Sequence, residues 1–579
     1  MTEPSPDART LPELFANTVT GTTLSWFIDD LSPAPAWATP AADPSGWCVL
    51  DGAVVREHVR ALAAGLIDVG VSPGERVALM LGNRPEHWLT DLAVLHAGAV
   101  PSTFYPTLAP EQVRSQAAHA QISTVVIEGP AQLEQWSLAL ELPGLRRVVT
   151  LERATPRHLS VAWHMYAEML ERGAAVLAGQ PEVVAERTSR IRPDDFATII
   201  FTSGTTAEPK AVALTHRNVV MAAAGLEAVG VLPMPYRSVS YLTSAHILDR
   251  LVNNYIVLTL GGHISFSPDQ DSLTRVVMRA QPTVLVGVPR VWEKLLAGLE
   301  RLADADRAES PVRAAGLAQV TFAGTAGAPM PAALAEQLRG YGLPLLEAWG
   351  LTEAAGTITA STAAEFQSGT VGRPVPGCEV RVASDGELMV RGLQLSPGYL
   401  QRDGSLTPIA GTDGWLATGD IGEIGEDGHV RITGRKKELI ITSGGKNISP
   451  VAVESALSQS PLIAQALAFG NSRPYVVALL TLDPTAARMW LIRQHGIDPA
   501  EWSDETLVAD PTVLAGIARA VATANARLAR AEQVKCWQLL PRPWSPIEGT
   551  LTPTFKLRRA VIERKHRDVL DDLYSSSFS

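Results

Sequence analysis

Short apolar runs alternate with stretches of helical pattern along most of the chain. Arg76-Val-Ala-Leu-Met-Leu81 predicts a strand, Pro85 to Ala97 a helix, and Ser123-Thr-Val-Val-Ile127 the next strand. Downstream, Pro282-Thr-Val-Leu-Val-Gly-Val288 predicts a buried strand. Val320-Thr-Phe-Ala323 predicts another, ending at the small-residue turn Gly324-Thr-Ala-Gly-Ala328, and Pro331 to Arg339 predicts a helix. Such alternation is what an α/β domain requires. Between Gly411 and Gly434 the texture changes to short, glycine-punctuated, antiparallel-type strands, as in Gly425-Glu-Asp-Gly-His-Val-Arg-Ile-Thr-Gly434. After the charged cluster Arg435-Lys-Lys-Glu438 a new unit starts. Leu439-Ile-Ile441 reads as a strand, Ser449 as an N-cap with Pro450 at the first helical position, and Ala464–Phe469 and Tyr475–Leu482 as strands. The expected organisation is a large multi-sheet α/β domain at 1–436 and a small α+β domain at 437–579, with no internal repeat or coiled coil.

Composition agrees with more than one core: 579 residues, 46% hydrophobic and 19% charged. A formal net charge of −11 argues against nucleic acid as a partner, so contacts to phosphate should be local. The 3 cysteines, Cys48, Cys378 and Cys536, are odd in number and far apart, which supports neither a disulfide framework nor a Cys-x-x-Cys metal site and fits a reducing cytoplasm. The start, Met-Thr-Glu-Pro-Ser-Pro-Asp, lacks the features of a signal peptide, and no apolar run approaches the ~18 residues of a membrane span. A cytoplasmic protein is expected, with peripheral membrane contact left open.

The segment richest in chemistry is Thr202-Ser-Gly-Thr-Thr-Ala-Glu-Pro-Lys210, a loop between the apolar runs Phe196–Phe201 and Ala211–Leu214. The hydroxyls of Thr202, Ser203, Thr205 and Thr206, the flexible Gly204 and the cationic Lys210 offer donors to the phosphate oxygens of a nucleoside triphosphate. The Gly-Lys-Ser/Thr ending of a Walker loop is absent. A solvated surface turn is the bland alternative.

Taken with Trp349-Gly-Leu-Thr-Glu353, Gly414-Trp-Leu-Ala-Thr-Gly-Asp420, Gly434-Arg-Lys-Lys-Glu-Leu-Ile-Ile-Thr-Ser-Gly-Gly-Lys446 and Pro553-Thr-Phe-Lys556, this loop resembles, in content and order, the motifs of the adenylate-forming superfamily. Tyr241-Leu-Thr-Ser-Ala-His-Ile-Leu-Asp-Arg250 and Val288-Pro-Arg-Val-Trp-Glu-Lys294 are similar to the long-chain fatty acyl-CoA synthetase branch, and the similarity runs from about residue 45 nearly to the C-terminus. The resemblance implies a ligase that uses ATP, Mg²⁺ and coenzyme A on a medium- to long-chain fatty acid. Its carboxylate would attack the α-phosphorus to give an acyl adenylate and pyrophosphate, and a thiol would then displace AMP. An acyl carrier protein's phosphopantetheine is the alternative acceptor. A non-catalytic nucleotide-binding relative and a membrane-bound fatty-acid scaffold are the other rivals, and the retained Glu353, Asp420, Arg435 and Lys556 speak against the former.

The same resemblance assigns roles. Thr202 to Lys210 would wrap the β- and γ-phosphates, with Thr206 and Glu353 holding the metal; Ala207 and Ala211 stand where relatives usually carry glycine, which predicts a slower loop. Trp349 would lie against adenine, with Gly350 beside it, and Thr352 would touch the α-phosphate; a core tryptophan is the alternative. Gly324 to Ala328, Ala326 included, would form the opposite wall of the purine slot. Asp420 would accept from both ribose hydroxyls, reinforced by Arg435. Lys556 would be the cation that stabilises adenylation, Lys437 the hinge of a rotating lid, and Gly444-Gly445-Lys446 the loop that replaces Lys556 for thiol transfer. His246 would flank the acid carboxylate; a lone histidine otherwise reads as a satisfied core residue.

Overall fold

The computed structural model describes residues 10–27, 47–153, 161–202, 209–269, 271–304, 310–328, 330–545, 548–552 and 556–575. Its internal contacts divide the chain into two units. One takes Met1–Gly327, Leu334–Val380 and Met389–Leu416, and the other Ala328–Ala333, Arg381–Leu388 and Ala417–Ser579.

The first unit is α/β, built on three sheets. A 5-stranded parallel sheet runs in the order Val100–Thr103, Arg76–Met80, Thr124–Ile127, Arg147–Thr150, Ala162–Met165. Both of its faces are covered. Ala78, Met80, Val125, Ile127 and Val148 pack into one core, and Val77, Leu79, Val126 and Val149 into another. Burial on two sides is why these strands read as unbroken apolar runs rather than alternating ones. The helix Pro85–His96, opened by its proline at the first turn, is buried along its whole length. A 9-stranded sheet has at its centre the parallel strands Leu345–Trp349, Phe322–Thr325, Val284–Gly287 and Arg237–Ser240. The third sheet is antiparallel: Leu406–Thr407, Gly398–Leu400, Lys210–Thr215, Phe196–Thr202.

The second unit carries the antiparallel strands Leu416–Ile424 and Val430–Arg435, their register set by the turn Gly425 to Gly428. Its main sheet joins Ile463–Phe469, Val476–Leu482 and Val534–Leu540. Val476, Ala478 and Leu480 face the helices Pro450–Leu457 and Pro511–Asn525, while Val477 and Leu479 pack with Leu570 and Tyr574. Pro450 occupies the first helical position with Ser449 as N-cap residue, but the Ser449 hydroxyl makes no capping bond and is buried without a partner. Among the described residues no helix is long and apolar enough to cross a membrane.

Candidate active site

The site is assembled from strand ends. Phe196–Thr202 and Lys210–Thr215 pair in antiparallel register down to Thr202 opposite Lys210, which fixes the two strand ends that flank the hydroxyl-rich segment. Ser203, Gly204, Thr205, Thr206 and Ala207 lie outside the described residues. On the other side, Lys210–Thr215 pairs with Gly398–Leu400, which sets Tyr399 opposite Val212. Tyr399 is a residue that sequence reasoning missed, and it is the hub. The Lys210 ammonium lies 4.4 Å from the centre of its ring, and its hydroxyl donates to Glu353 Oε1 at 2.8 Å. Burial, reinforced by the Glu353 charge, pushes the Tyr399 hydroxyl well above its ordinary range, so it stays protonated and donates. Glu353 itself is on the single turn Thr352–Ala354, whose backbone is pinned where the Glu353 carbonyl accepts from the Ser396 amide at 2.8 Å.

Parallel pairing brings the second group together. Gly324 is opposite Leu346 and Thr325 opposite Glu347 across the adjacent strands Phe322–Thr325 and Leu345–Trp349, and the register ends two residues short of Trp349. Gly350 has no room for a side chain: a Cβ there would stand 1.5 Å from the Gly356 carbonyl oxygen. Trp349 is 6% exposed, a ring mostly enclosed by protein. The expected strand end at Ala323 is corrected. The strand continues through Gly324 to Thr325, because the missing side chain of Gly324 accommodates the Phe322 ring and Val286, and its carbonyl accepts from the Trp292 indole at 3.1 Å. The turn begins later, with Gly327 at φ +86. Sequence reasoning also missed Glu347. It is 8% exposed, burial pushes its carboxyl up to about 7, and the buried hydroxyl of its register partner Thr325 has no hydrogen-bond partner among the described residues.

His246 caps the short helix Ile247–Asp249, its Nδ1 accepting from the Leu248 amide at 3.2 Å. The adjoining Asp249 accepts from Ser244 at 2.6 Å, Asn253 at 2.7 Å and Ser240 at 3.2 Å, and burial still pushes its carboxyl up to about 6. Arg250, fully buried, is spent on Asp91, Thr103 and Tyr255. The segment around His246 is therefore braced by buried polar contacts, a signal that a single histidine in sequence does not give.

In the second unit Asp420 and Arg435 are direct partners across the antiparallel pair, with Arg435 Nε 2.8 Å from Asp420 Oδ1. Asp420 is 2% exposed while the Arg435 side chain is 47% exposed, so a buried carboxylate is paired with a half-exposed guanidinium. Lys437 is exposed in the turn that follows Arg435, Gly444 and Gly445 form the exposed tip between Ile440–Ile441 and Asn447–Ile448, and Gly445 takes φ +72. Lys556 is exposed. Thr552 and Lys556 are joined by a backbone bond of 2.8 Å and a bond from the Lys556 amide to the Thr552 hydroxyl of 3.0 Å. The structure thus joins Lys210 and Glu353 at Tyr399, with Thr202 opposite Lys210, carries Gly324 and Trp349 on adjacent parallel strands, and pairs Asp420 with Arg435.

Among the described residues no group of three or more histidine, cysteine, aspartate or glutamate side chains is placed to hold a metal. A lone oriented carboxylate such as Glu353 suits Mg²⁺, which keeps waters and takes its remaining oxygens from substrate phosphates.

A family model described as AMP-binding enzyme matches residues 40–400, and the AMP-binding enzyme C-terminal domain matches residues 437–577. The chain belongs to the AMP-binding enzyme family. It is 34% identical over 573 residues, 91% of this chain and 93% of the relative, to the long-chain-fatty-acid--CoA ligase FadD15 of Mycobacterium bovis. In fold it is similar to the anthranilate CoA ligase AuaEII in complex with anthranoyl-AMP, with a TM-score of 0.74 at 17% identity over 98% of this chain and 100% of the other. It is also similar to the A-PCP didomain of carboxylic acid reductase from Segniliparus rugosus, with a TM-score of 0.72 at 18% identity over 98% and 82%.

Proposed function

We infer that the chain is an acid–thiol ligase that activates a medium- to long-chain fatty acid with ATP and transfers the acyl group to coenzyme A, working in the cytoplasm, where Cys48, Cys378 and Cys536 remain free thiols. The observation that carries this reading is the Lys210–Tyr399–Glu353 array next to the strand ends that flank the hydroxyl-rich segment, in a chain whose relative FadD15 is named a long-chain-fatty-acid--CoA ligase.

In the first half-reaction a carboxylate oxygen forms a bond to the α-phosphorus, the bond to the bridging oxygen of the β-phosphate breaks, and pyrophosphate leaves. The chain's part is positioning and charge stabilisation. Tyr399 holds Glu353 by one oxygen and Lys210 by its ring face, which fixes an anion for the metal and a cation for the leaving phosphates. Mg²⁺, when bound, neutralises phosphate charge at Glu353 with Thr206. Trp349, Gly350, Gly324 and Ala326 bound the purine, Thr352 meets the α-phosphate, and Asp420, paired with Arg435, accepts from the ribose hydroxyls. His246 orients the acid, and Lys556 meets the charge that builds on carboxylate and phosphate. In the second half-reaction a thiolate sulfur bonds to the acyl carbon, the bond to the adenylate oxygen breaks, AMP leaves and the thiol proton passes to solvent. Lys437 serves as the hinge, with Gly444 and Gly445 taking the place of Lys556.

Pyrophosphate release measured against a series of saturated acids tests the reading. Release should require acid and Mg²⁺ and should be followed by thioester formation. Offering coenzyme A and a phosphopantetheinylated carrier protein in parallel separates the two acceptors. Failure of every fatty acid to drive ATP–pyrophosphate exchange would overturn the assignment.

A further inference from the structure

We propose that Asp249 is a positioning residue for His246, its buried carboxylate holding the loop that carries the imidazole; this rests on the reading of His246 as the residue that orients the acid. Asp249 is 1% exposed and lies three positions after the histidine. Its Oδ2 accepts from the Ser244 hydroxyl at 2.6 Å, two positions before the histidine, which closes the loop. Its Oδ1 accepts from Asn253 Nδ2 at 2.7 Å and lies 3.2 Å from the Ser240 hydroxyl, which Asp249 shares with Asn83 Oδ1 at 2.7 Å. These contacts fix the carboxylate to the end of the strand Arg237–Ser240 and to the helical segment Arg250–Tyr255. Ser240 is held in turn, its carbonyl accepting from the Ser267 amide at 2.8 Å, and Asn83 Nδ2 donates to the Ser267 carbonyl at 2.7 Å.

Inside that loop the ring is oriented by backbone. The His246 amide donates to the Thr243 carbonyl at 3.0 Å, and Nδ1 accepts from the Leu248 amide at 3.2 Å, which puts the ring proton on Nε2. Leu248 stands directly before Asp249, so a shift of the aspartate shifts the amide that sets the ring. The neighbouring guanidinium of Arg250 is bonded elsewhere, to Asp91, Thr103 and Tyr255. The hydrogen bonds that Asp249 makes among the described residues therefore come from hydroxyls and an amide. Stability alone gives little reason to bury a carboxylate in this way, because an apolar side chain of similar size often serves as well. A satisfied polar network does rigidify its surroundings into one arrangement, and a misplacement of about 1 Å at a reacting group can cost about 10²-fold in rate.

The test uses the full-length protein and separates the half-reactions: pyrophosphate release from hexadecanoate and ATP without thiol, and thioester formation from synthetic hexadecanoyl adenylate and coenzyme A. Ser244→Ala removes the loop-side bond alone and leaves Asp249 its other contacts. It should lower kcat/KM for hexadecanoate by about tenfold, while KM for ATP and the rate of thioester formation stay within about threefold. Ser244→Thr, which keeps a hydroxyl, should recover most of the loss. Asp249→Ala should show the same split with a larger loss; because it leaves buried donors unpaired, the Ser244 pair decides the matter if that variant does not fold. The sharpest readout is a double-variant cycle. On a His246→Ala background Ser244→Ala should cost less than about twofold, since a residue that acts through the imidazole then has nothing to position. An equal cost with and without His246, or no cost in Ser244→Ala, would overturn the proposal. His246→Ala by itself keeps the two readings apart. If it lowers kcat/KM for the acid and Ser244→Ala does not, only the positioning role falls; if it changes nothing, the role of His246 falls and that of Asp249 with it.

Discussion

Glu353 in the first unit and Lys556 in the second each present one charge, and they are held in opposite ways. Glu353 follows a five-residue strand, its carbonyl is bonded, and its carboxylate is fixed by a tyrosine that is itself pinned in register on a paired strand. Lys556 stands exposed, its amide donating to the Thr552 hydroxyl at 3.0 Å. Asp420 and Arg435 follow the first pattern, locked across antiparallel strands, while Lys437, Gly444 and Gly445 follow the second. Groups that grip a nucleotide through both half-reactions gain from preorganisation on rigid elements, whereas groups needed in only one half gain from turns that come and go with a moving unit.

The sharpest way to break that contrast is Lys556→Ala. A group that acts only in adenylation should, when removed, lower the rate of pyrophosphate release by about 10²- to 10³-fold while leaving thioester formation from preformed adenylate within about threefold. Rapid-quench measurement of each half-reaction decides it. Matching losses in the two would mean that the turn-borne lysine works throughout, and the contrast would dissolve.

Tyr399→Phe sharpens the other side. The substitution keeps the ring beneath Lys210 and deletes only the hydroxyl that donates to Glu353. A hydrogen bond to a charged group is worth about 1.5–3 kcal/mol, so the Mg²⁺ concentration for half-maximal pyrophosphate release should rise about tenfold or more, with the ATP dependence at saturating metal little changed. A Mg²⁺ titration that superimposes on the wild-type curve would show that Glu353 needs no strand-borne support.

Much of this was legible in the chain, and what was not has a common cause. The strands Arg76–Met80, Val284–Gly287 and Val476–Leu482 announce themselves because both faces are buried, and the Asp420–Arg435 pairing follows from a tight Gly425–Gly428 turn that fixes local register. Tyr399 stayed hidden because its meeting with Glu353 depends on Gly398–Leu400 pairing with Ala211–Ala213, a non-local register that no short pattern records. Gly324 read as a turn residue because glycine punctuates turns, yet here it is used for close packing inside a strand. Ser449 stands at the N-cap position the pattern indicates, but its hydroxyl makes no capping bond.

Glu347 provides the mildest probe, one that concerns the cost of a rigid, buried strand site. Its carboxyl is pushed up to about 7 by burial, while in the unfolded chain it titrates near its ordinary 4.5. Between those values the folded protein holds a proton that the unfolded chain has released, so stability falls as pH rises from 4.5 to 7 and levels off above it. Glu347→Gln removes this titration. Below pH 4.5 the variant and the parent should be nearly equal in stability, and by pH 8 the variant should be the more stable by on the order of 1–2 kcal/mol. Urea unfolding across that range measures the gap. A gap that stays flat with pH would mean that Glu347 remains ionised in the folded state, and the strand Leu345–Trp349 would then carry a fixed anion rather than a neutral acid.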